Sequence, residues 1–255
     1  MILQEFDPSS CAVINPSDIM TPIPGFPKIG ISCFSKKLAD RIIEVFDAEQ
    51  IAELHSANGE LPIYSIDCNG REYVFYMAPV GAPWCAAAFD ELIAMGLEKL
   101  ILFGTCGVLS REIKDLAVIV PTAAIRDEGT SYHYAEASDE IALNETYRDA
   151  FLHILQQHNC SYVMGKTWTT DAFYRETPDK VQRRKEQGAV CVEMECAAMA
   201  AVAQFRQKDF FQFLYAADNL DDTKWDKRSL SCGEKLCEKE RIALLAFELA
   251  EIMEK

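Results

Sequence analysis

The chain has 255 residues, a formal net charge of −15, 25% charged residues and 49% hydrophobic ones. That composition suits a globular enzyme with a sizeable core, and strong acidity without a basic stripe argues against a nucleic-acid partner. Ten cysteines without paired spacing point to reduced thiols in a cytoplasm, four histidines and no C-x-x-C leave little for a metal, and no apolar run approaches membrane-spanning length.

In chain order, residues 1–27 hold Pro8, Pro16, Pro22, Pro24 and Pro27 and read as an irregular arm suited to wrapping its own body or a neighbouring subunit. Residues 28–255 follow as one domain, without linker or internal repeat. Lys28–Cys33 reads as a strand. The spacing of Leu38, Ile42, Val45 and Phe46 predicts a helix over 36–48. Glu72–Pro79 is β-rich, and Ala86–Met95 is helical until Gly96 stops it. Lys99–Phe103 is a continuous apolar run closed by Gly104, as in a strand covered on both faces, and Leu116–Val120 repeats that character. Helical patterns over 145–158 and 178–187, a strand over 210–217 and a helix over 234–253 complete the series. Such alternation predicts an α/β fold with a mostly parallel sheet and a site at the strand ends.

The stretch Val190–Phe205 organises the rest. Val190–Val192 resembles the end of a buried strand, and from Met194 onward apolar residues crowd every face, with Ala197, Ala198, Ala200, Ala201 and Ala203 among them. A helix apolar all round is buried, and small side chains let its neighbours approach closely. Glu193 and Glu195 sit at the junction between strand and helix. Either one caps the helix and the other is a surface residue, or both are buried and need donors from protein or ligand, because helix-end electrostatics covers only about 0.3–1 kcal/mol.

Four further segments are dense in polar or flat groups. Gly104-Thr105-Cys106-Gly107 reads as a tight turn whose N–H groups could face an anion, although its spacing is not that of a dinucleotide site. Arg126–Tyr134 reads as a solvated loop or a pocket wall built on Tyr132, His133 and Tyr134. In the third, Thr169–Arg175, Phe173 offers a planar face to a ring or belongs to the core. Asp218, after the strand at 210–217, is either a general acid or a cap for the next turn.

Taken together, G-T-C-G, P-T-A-A-I-R-D-E-G-T-S-Y-H-Y, T-D-A-F-Y, V-E-M-E-C-A-A and A-D-N resemble the nucleoside phosphorylases of the hexameric purine and uridine type, a family that also contains methylthioadenosine nucleosidases. The resemblance runs from Lys28 to the C-terminus and is strongest in 99–134 and 164–225. It implies a single-domain three-layer α/β fold with a partly barrel-like central sheet, and a homo-oligomer, dimer or hexamer. It also implies phosphorolysis of a nucleoside to free base and ribose 1-phosphate, with inorganic phosphate as co-substrate, no cofactor and no metal. On that likeness Glu195 and Met194 hold the ribose, with Thr105 and His133 beside it. Gly104 and Thr105 bind phosphate, Phe173 stacks on the base with Glu193 near it, and Asp218 protonates a purine at N7. Uridine members instead carry a Gln and an Arg soon after F-Y, and Arg175–Asp179 contains no such Gln.

The likeness also has gaps. The family's G-D-x-x-R after the first strand is Cys33-Phe34-Ser35-Lys36-Lys37 here, which makes Lys37 the remaining candidate for holding the anion. The Arg two residues before the G-S/T-x-G turn is Leu102, and losing its charge-assisted hydrogen bonds removes about 1.5–3 kcal/mol each. Arg228 is only an approximate match to the Arg expected after the catalytic Asp. The nucleosidases' water-activating Glu is also missing, since Lys36, Lys37 and Leu38 occupy the nearest positions. A phosphorylase of purine or uridine type, a nucleosidase and a nucleoside-binding protein without turnover all remain open at this point.

Overall fold

The computed structural model describes residues 2–57, 59–221, 224–231 and 233–254. The N-terminal segment carries a 3-10 turn (Ile2–Gln4) and a short helix, α1 (Pro16–Ile19), and Phe26 near its end is buried. Ile23 N–H donates to the Met95 carbonyl at 3.0 Å, tying that end to the body.

The body alternates β1 (Ile29–Cys33), α2 (Lys36–Val45), β2 (Glu49–Ser56), β3 (Gly59–Cys68), β4 (Arg71–Met77), α3 (Ala82–Met95), β5 (Lys99–Val108) and β6 (Val118–Asp127). It continues through β7 (Glu140–Ala142), α4 (Arg148–Gln157), β8 (Tyr162–Thr170), α5 (Pro178–Glu186), β9 (Ala189–Glu193), α6 (Cys196–Arg206), β10 (Asp209–Asn219) and α7 (Leu236–Met253). The order β10-β6-β8-β9-β5-β1-β4-β3-β2, with a further pairing of β10 to β5, closes five strands into a barrel and leaves the others as an open extension. Parallel ladders join β4 to β1, β1 to β5, β5 to β10, β6 to β8 and β8 to β9. Antiparallel ladders close the barrel at β10–β6 and β5–β9 and build the hairpins of β2, β3 and β4. The fold is therefore the three-layer α/β arrangement with a partly barrel-like sheet.

β2, β3, β7 and β8 carry no clear sequence signal. Pro62 sits inside β3 and Gly165 inside β8, and each normally weakens a strand reading. In β8 the glycine serves close packing, because a Cβ at residue 165 would lie 2.5 Å from Val190 Cγ1. α6 is the buried helix that its composition requires, with every residue from Cys196 to Ala203 buried.

One correction bears directly on the site. Gly104–Gly107 is not a turn: β5 runs on through it to Val108, paired to β10 along its length and to β9 at Gly107 and Val108. Neither glycine has a positive φ. Their lack of a side chain makes room instead. A Cβ on Gly104 would meet the Phe34 ring at 2.6 Å, and one on Gly107 would meet Leu220 at 2.4 Å.

Candidate functional site

Asp218 owes its orientation to a register shift between Ala216 and Asp218 in the ladder with β5. Such a bulge re-aims the side chain that follows it. Here it delivers a carboxylate to a cleft of about 600 Å³, beside Gly107, where Asp218 Oδ1 would lie 3.3 Å from a Cβ. Trp225 Nε1 donates to Asp218 Oδ2 at 2.7 Å. Burial raises the Asp218 carboxyl above its ordinary range, while Trp225 and the Arg228 charge pull it back. Arg228 itself donates to the Ile113 carbonyl at 2.8 Å and makes no hydrogen bond to Asp218. The segment after β10 is held in place by an Asn219–Asp226 bridge and by Ser229 donating to Asp115 at 2.7 Å.

The rest of the cleft is mixed in character. Phe173 and Tyr174 form an exposed aromatic lip with ring centroids 4.1 Å apart. Val181, Leu220, Trp225 and Leu230 supply apolar walls, and Thr105, Met194 and Glu176 supply polar or polarisable ones. Glu176 follows the short turn Phe173–Arg175 and is partly buried. Burial first, then the Asp218 charge, push its carboxyl up to about 7.

The two junction glutamates divide their labour. Glu193 Oε2 accepts from the Glu195 and Cys196 amides at 2.7 and 2.6 Å, and its Oε1 accepts from Thr169 and Thr167 hydroxyls at 2.6 and 3.2 Å. Burial raises this carboxyl and all these donors oppose it. At about 1.5–3 kcal/mol per charge-assisted bond, they offset a burial penalty of several kcal/mol. Glu193 thus ties down the first amides of α6 with all these bonds made inside the protein, and it also lines the cleft beside Met194. Glu195 is equally buried, so it is no surface residue; its carboxylate accepts from Gly81 N–H at 2.6 Å and is also bonded by the Met194 backbone amide. Burial and the Glu193 charge push the Glu195 carboxyl up to about 8.

These strand-end carboxylates on a part-closed barrel can be set beside known proteins. A family model described as "Phosphorylase superfamily" matches residues 28–247. The chain belongs to that superfamily. The guanosine phosphorylase of Halorubrum lacusprofundi is 29% identical over 170 residues, which cover 65% of this chain and 67% of that protein. A DeoD-type purine nucleoside phosphorylase of Brevibacillus brevis is 26% identical over 165 residues, 62% and 69% of the two chains. Among solved structures, uridine phosphorylase from Vibrio fischeri superposes with a TM-score of 0.77 at 22% identity, covering 90% of this chain and 94% of that one. A futalosine hydrolase mutant from Helicobacter pylori gives 0.70 at 16%, covering 88% and 99%. These two likenesses speak to the fold alone; the matches together make the chain an enzyme of the nucleoside phosphorylase family.

Several residues expected at a phosphorylase site lie elsewhere. Leu102 is fully buried in the core cluster that contains Tyr76, Ala78, Phe89 and Met199. The Phe34 ring covers Gly104, so the face on which an anion was expected carries a phenyl group. Lys37 is exposed and does not line the cleft; its Nζ would lie 3.1 Å from a Cβ on Gly233. His133 is exposed and also outside the cleft. The loop around it is tied up internally: Arg126 donates to Ser131 Oγ at 2.8 Å and stacks on Tyr132 at 4.1 Å, and Tyr134 donates to Asp90 at 2.8 Å. Asp218, Phe173, Met194 and Thr105 do meet in one cleft. Glu176 and Trp225 join them without having been singled out from sequence, because both sit in aperiodic loops. The Phe173–Pro178 spacing, a short turn before a helix, is the one signal that could have raised Glu176.

Proposed function

We propose that this enzyme cleaves the N-glycosidic bond of a purine-type nucleoside, with phosphate as acceptor, giving free base and ribose 1-phosphate. The observation that carries this reading is Asp218, turned into an aromatic-lipped cleft by the bulge, with its carboxyl raised by burial. As the bond from C1′ to N9 breaks, its electron pair moves into the base, the Asp218 proton goes to N7, and a phosphate oxygen bonds C1′. A carboxyl raised above its ordinary range is better suited to that transfer than a free one, and such a transfer is worth typically about 10²–10⁴-fold. Phe173 stacks on the base. Glu195, whose buried carboxylate has backbone donors but no side-chain donor among the described residues, takes the ribose 2′- and 3′-hydroxyls, and Met194 backs the sugar. Thr105 lies at the anion end. The relatives' names, guanosine and purine nucleoside phosphorylase, agree with a purine.

Self-association is part of the same proposal. Val13, Ile14 and Ile19 are exposed apolar residues on the N-terminal segment, and His133 is exposed outside this chain's own cleft, free to face a neighbouring copy. A dimer or hexamer is expected by light scattering, and a fully active monomer at micromolar concentration contradicts it.

A second reading, hydrolysis, is favoured by Phe34 over Gly104 and by Leu102 in the core. A panel of nucleosides assayed with and without phosphate separates the two. Base release that requires phosphate, with a high KM for it, supports phosphorolysis. Equal rates without phosphate make water the nucleophile. If no nucleoside is cleaved but one raises the melting temperature, the chain is a binding protein.

A further inference from the structure

Asp218 leaves one feature of the cleft unexplained. Glu176 points a second carboxylate into the same cavity, and no side-chain hydrogen bond or ion pair of Glu176 occurs among the described residues. Lys180, whose charge lowers the Glu176 carboxyl, is committed to Asp127 at 3.0 Å. Among the other lining residues, Pro178, Val181, Leu220 and Leu230 have no side-chain donor, and Trp225 spends its N–H on Asp218 at 2.7 Å. The backbone holds it firmly in place: Glu176 N–H donates to the Phe173 carbonyl at 3.1 Å, and Pro178 begins α5 two residues later. One short turn therefore presents a flat aromatic face and an unpartnered carboxylate to the same occupant.

A carboxylate in a largely apolar cavity needs donors, and a ligand must bring them. The nucleobase edges differ in that respect. Guanine offers two adjacent donors, N1–H and the 2-amino group, spaced for the two oxygens of one carboxylate. Adenine places an acceptor at N1 beside its amino group. Uracil offers a single N–H between two carbonyls. We infer that Glu176 is the specificity-determining residue of this cleft, accepting from N1–H and the 2-amino group of a guanine-type base stacked on Phe173. This inference rests on the nucleoside-cleaving reading above and names its substrate class.

The pairing also suits the proton that Asp218 must deliver. Asp218 lies close enough for its charge to raise Glu176, and Lys180 opposes that effect; Arg228 and Asp226 act on Asp218 in opposite senses. Donors from the base favour ionised Glu176, and two neighbouring carboxylates resist ionising together, so the proton settles on Asp218. There it faces the N7 and O6 edge, while Glu176 faces N1 and the 2-amino group.

The test is a comparison of guanosine, inosine, adenosine and uridine with wild type and Glu176→Gln. Wild type is expected to favour guanosine by at least about 100-fold in kcat/KM over adenosine, with inosine between, because a site built to bond a donor rejects analogues lacking it. A Gln amide pairs with adenine's N1 and amino group but sets its own NH₂ against guanine's donors. Glu176→Gln should therefore cut guanosine cleavage at least about 100-fold and leave adenosine unchanged or improved. Equal loss for all purines would mean a purely structural role and overturns the inference, as does wild type preferring adenosine or uridine. If wild type cleaves nothing, melting temperatures with free guanine and free adenine decide. Stabilisation by guanine that Glu176→Gln abolishes upholds the base reading while the cleavage reading fails. No guanine-selective shift in wild type ends both.

Discussion

The two ends of this site have gone in opposite directions. At the base end, a bulge, a tryptophan N–H and a short turn concentrate three carboxylates and three aromatic residues in one cleft. At the anion end, the positions where the family resemblance leads one to expect charge hold Leu102 and Phe34, both apolar, and the remaining lysine faces solvent. Burying a Leu side chain contributes about 1.5–3 kcal/mol to folding, whereas an unpaired guanidinium at the same place would cost several. Stability and anion binding therefore pull against each other at residue 102, and the sequence has settled on stability. Selectivity for the base and affinity for the acceptor can thus drift separately within one cleft.

The largest effect should fall on the base end. Asp218→Asn removes the proton donor while keeping its shape, and kcat for guanosine should drop about 10²–10⁴-fold. A drop below tenfold would take Asp218 out of the chemistry. Glu195→Gln should lower turnover at least about 100-fold, near 3 kcal/mol, because both ribose hydroxyls lose an ionised acceptor. Turnover close to wild type would leave Glu195 as a tether for Gly81 and no more.

Changes at the anion end should be gentler. Phe34→Ala uncovers the face of Gly104 and should lower KM for phosphate several-fold, to about a tenth at most, with the nucleoside KM unchanged. No response would mean that the phenyl ring does not limit this end. Lys37→Ala should change either constant by no more than about twofold, as exposed charges commonly do. A tenfold rise in the phosphate constant would return Lys37 to the site.

The smallest effect is on stability. Glu176 and Glu195 both have carboxyls raised in the folded state, to about 7 and about 8. A raised acid favours the folded state below its unfolded pKa and loses that contribution as pH climbs through the folded value. The ligand-free protein should therefore become less stable between about pH 4.5 and 8, and the double Gln variant should flatten that slope in thermal scans. A profile unchanged by the double substitution would show that the two carboxyls titrate normally.

Much of the scaffold was readable in advance, and the reasons are specific. α6 announces itself because no face of it can meet water, and β5 because an unbroken apolar run suits only a strand covered on both sides. The candidate residues Asp218, Phe173 and Thr105 were visible as polar or aromatic groups at strand ends, and Met194 through the likeness of V-E-M-E to the family's motif. The reading of Gly104–Gly107 as a turn went astray because glycine serves two purposes. Local pattern cannot tell a positive φ from a close approach, and here the approach of Phe34 and Leu220 was the reason. Glu176 and Trp225 were missed because loop residues have no period to betray which way they face.

By itself, the sequence determined the alternation of strands and helices, the buried helix and its family, since these depend on residues near one another along the chain. The tertiary structure alone decided which glutamate of V-E-M-E is spent on the protein. That choice turns on Thr167 and Thr169, brought alongside by the β8–β9 ladder from more than twenty residues away. It likewise decided that Asp218 meets Glu176 and Trp225, because a bulge and two loops converge there. Hydrogen bonds and charges act through space over a few ångströms, and only the folded chain determines which groups share those few.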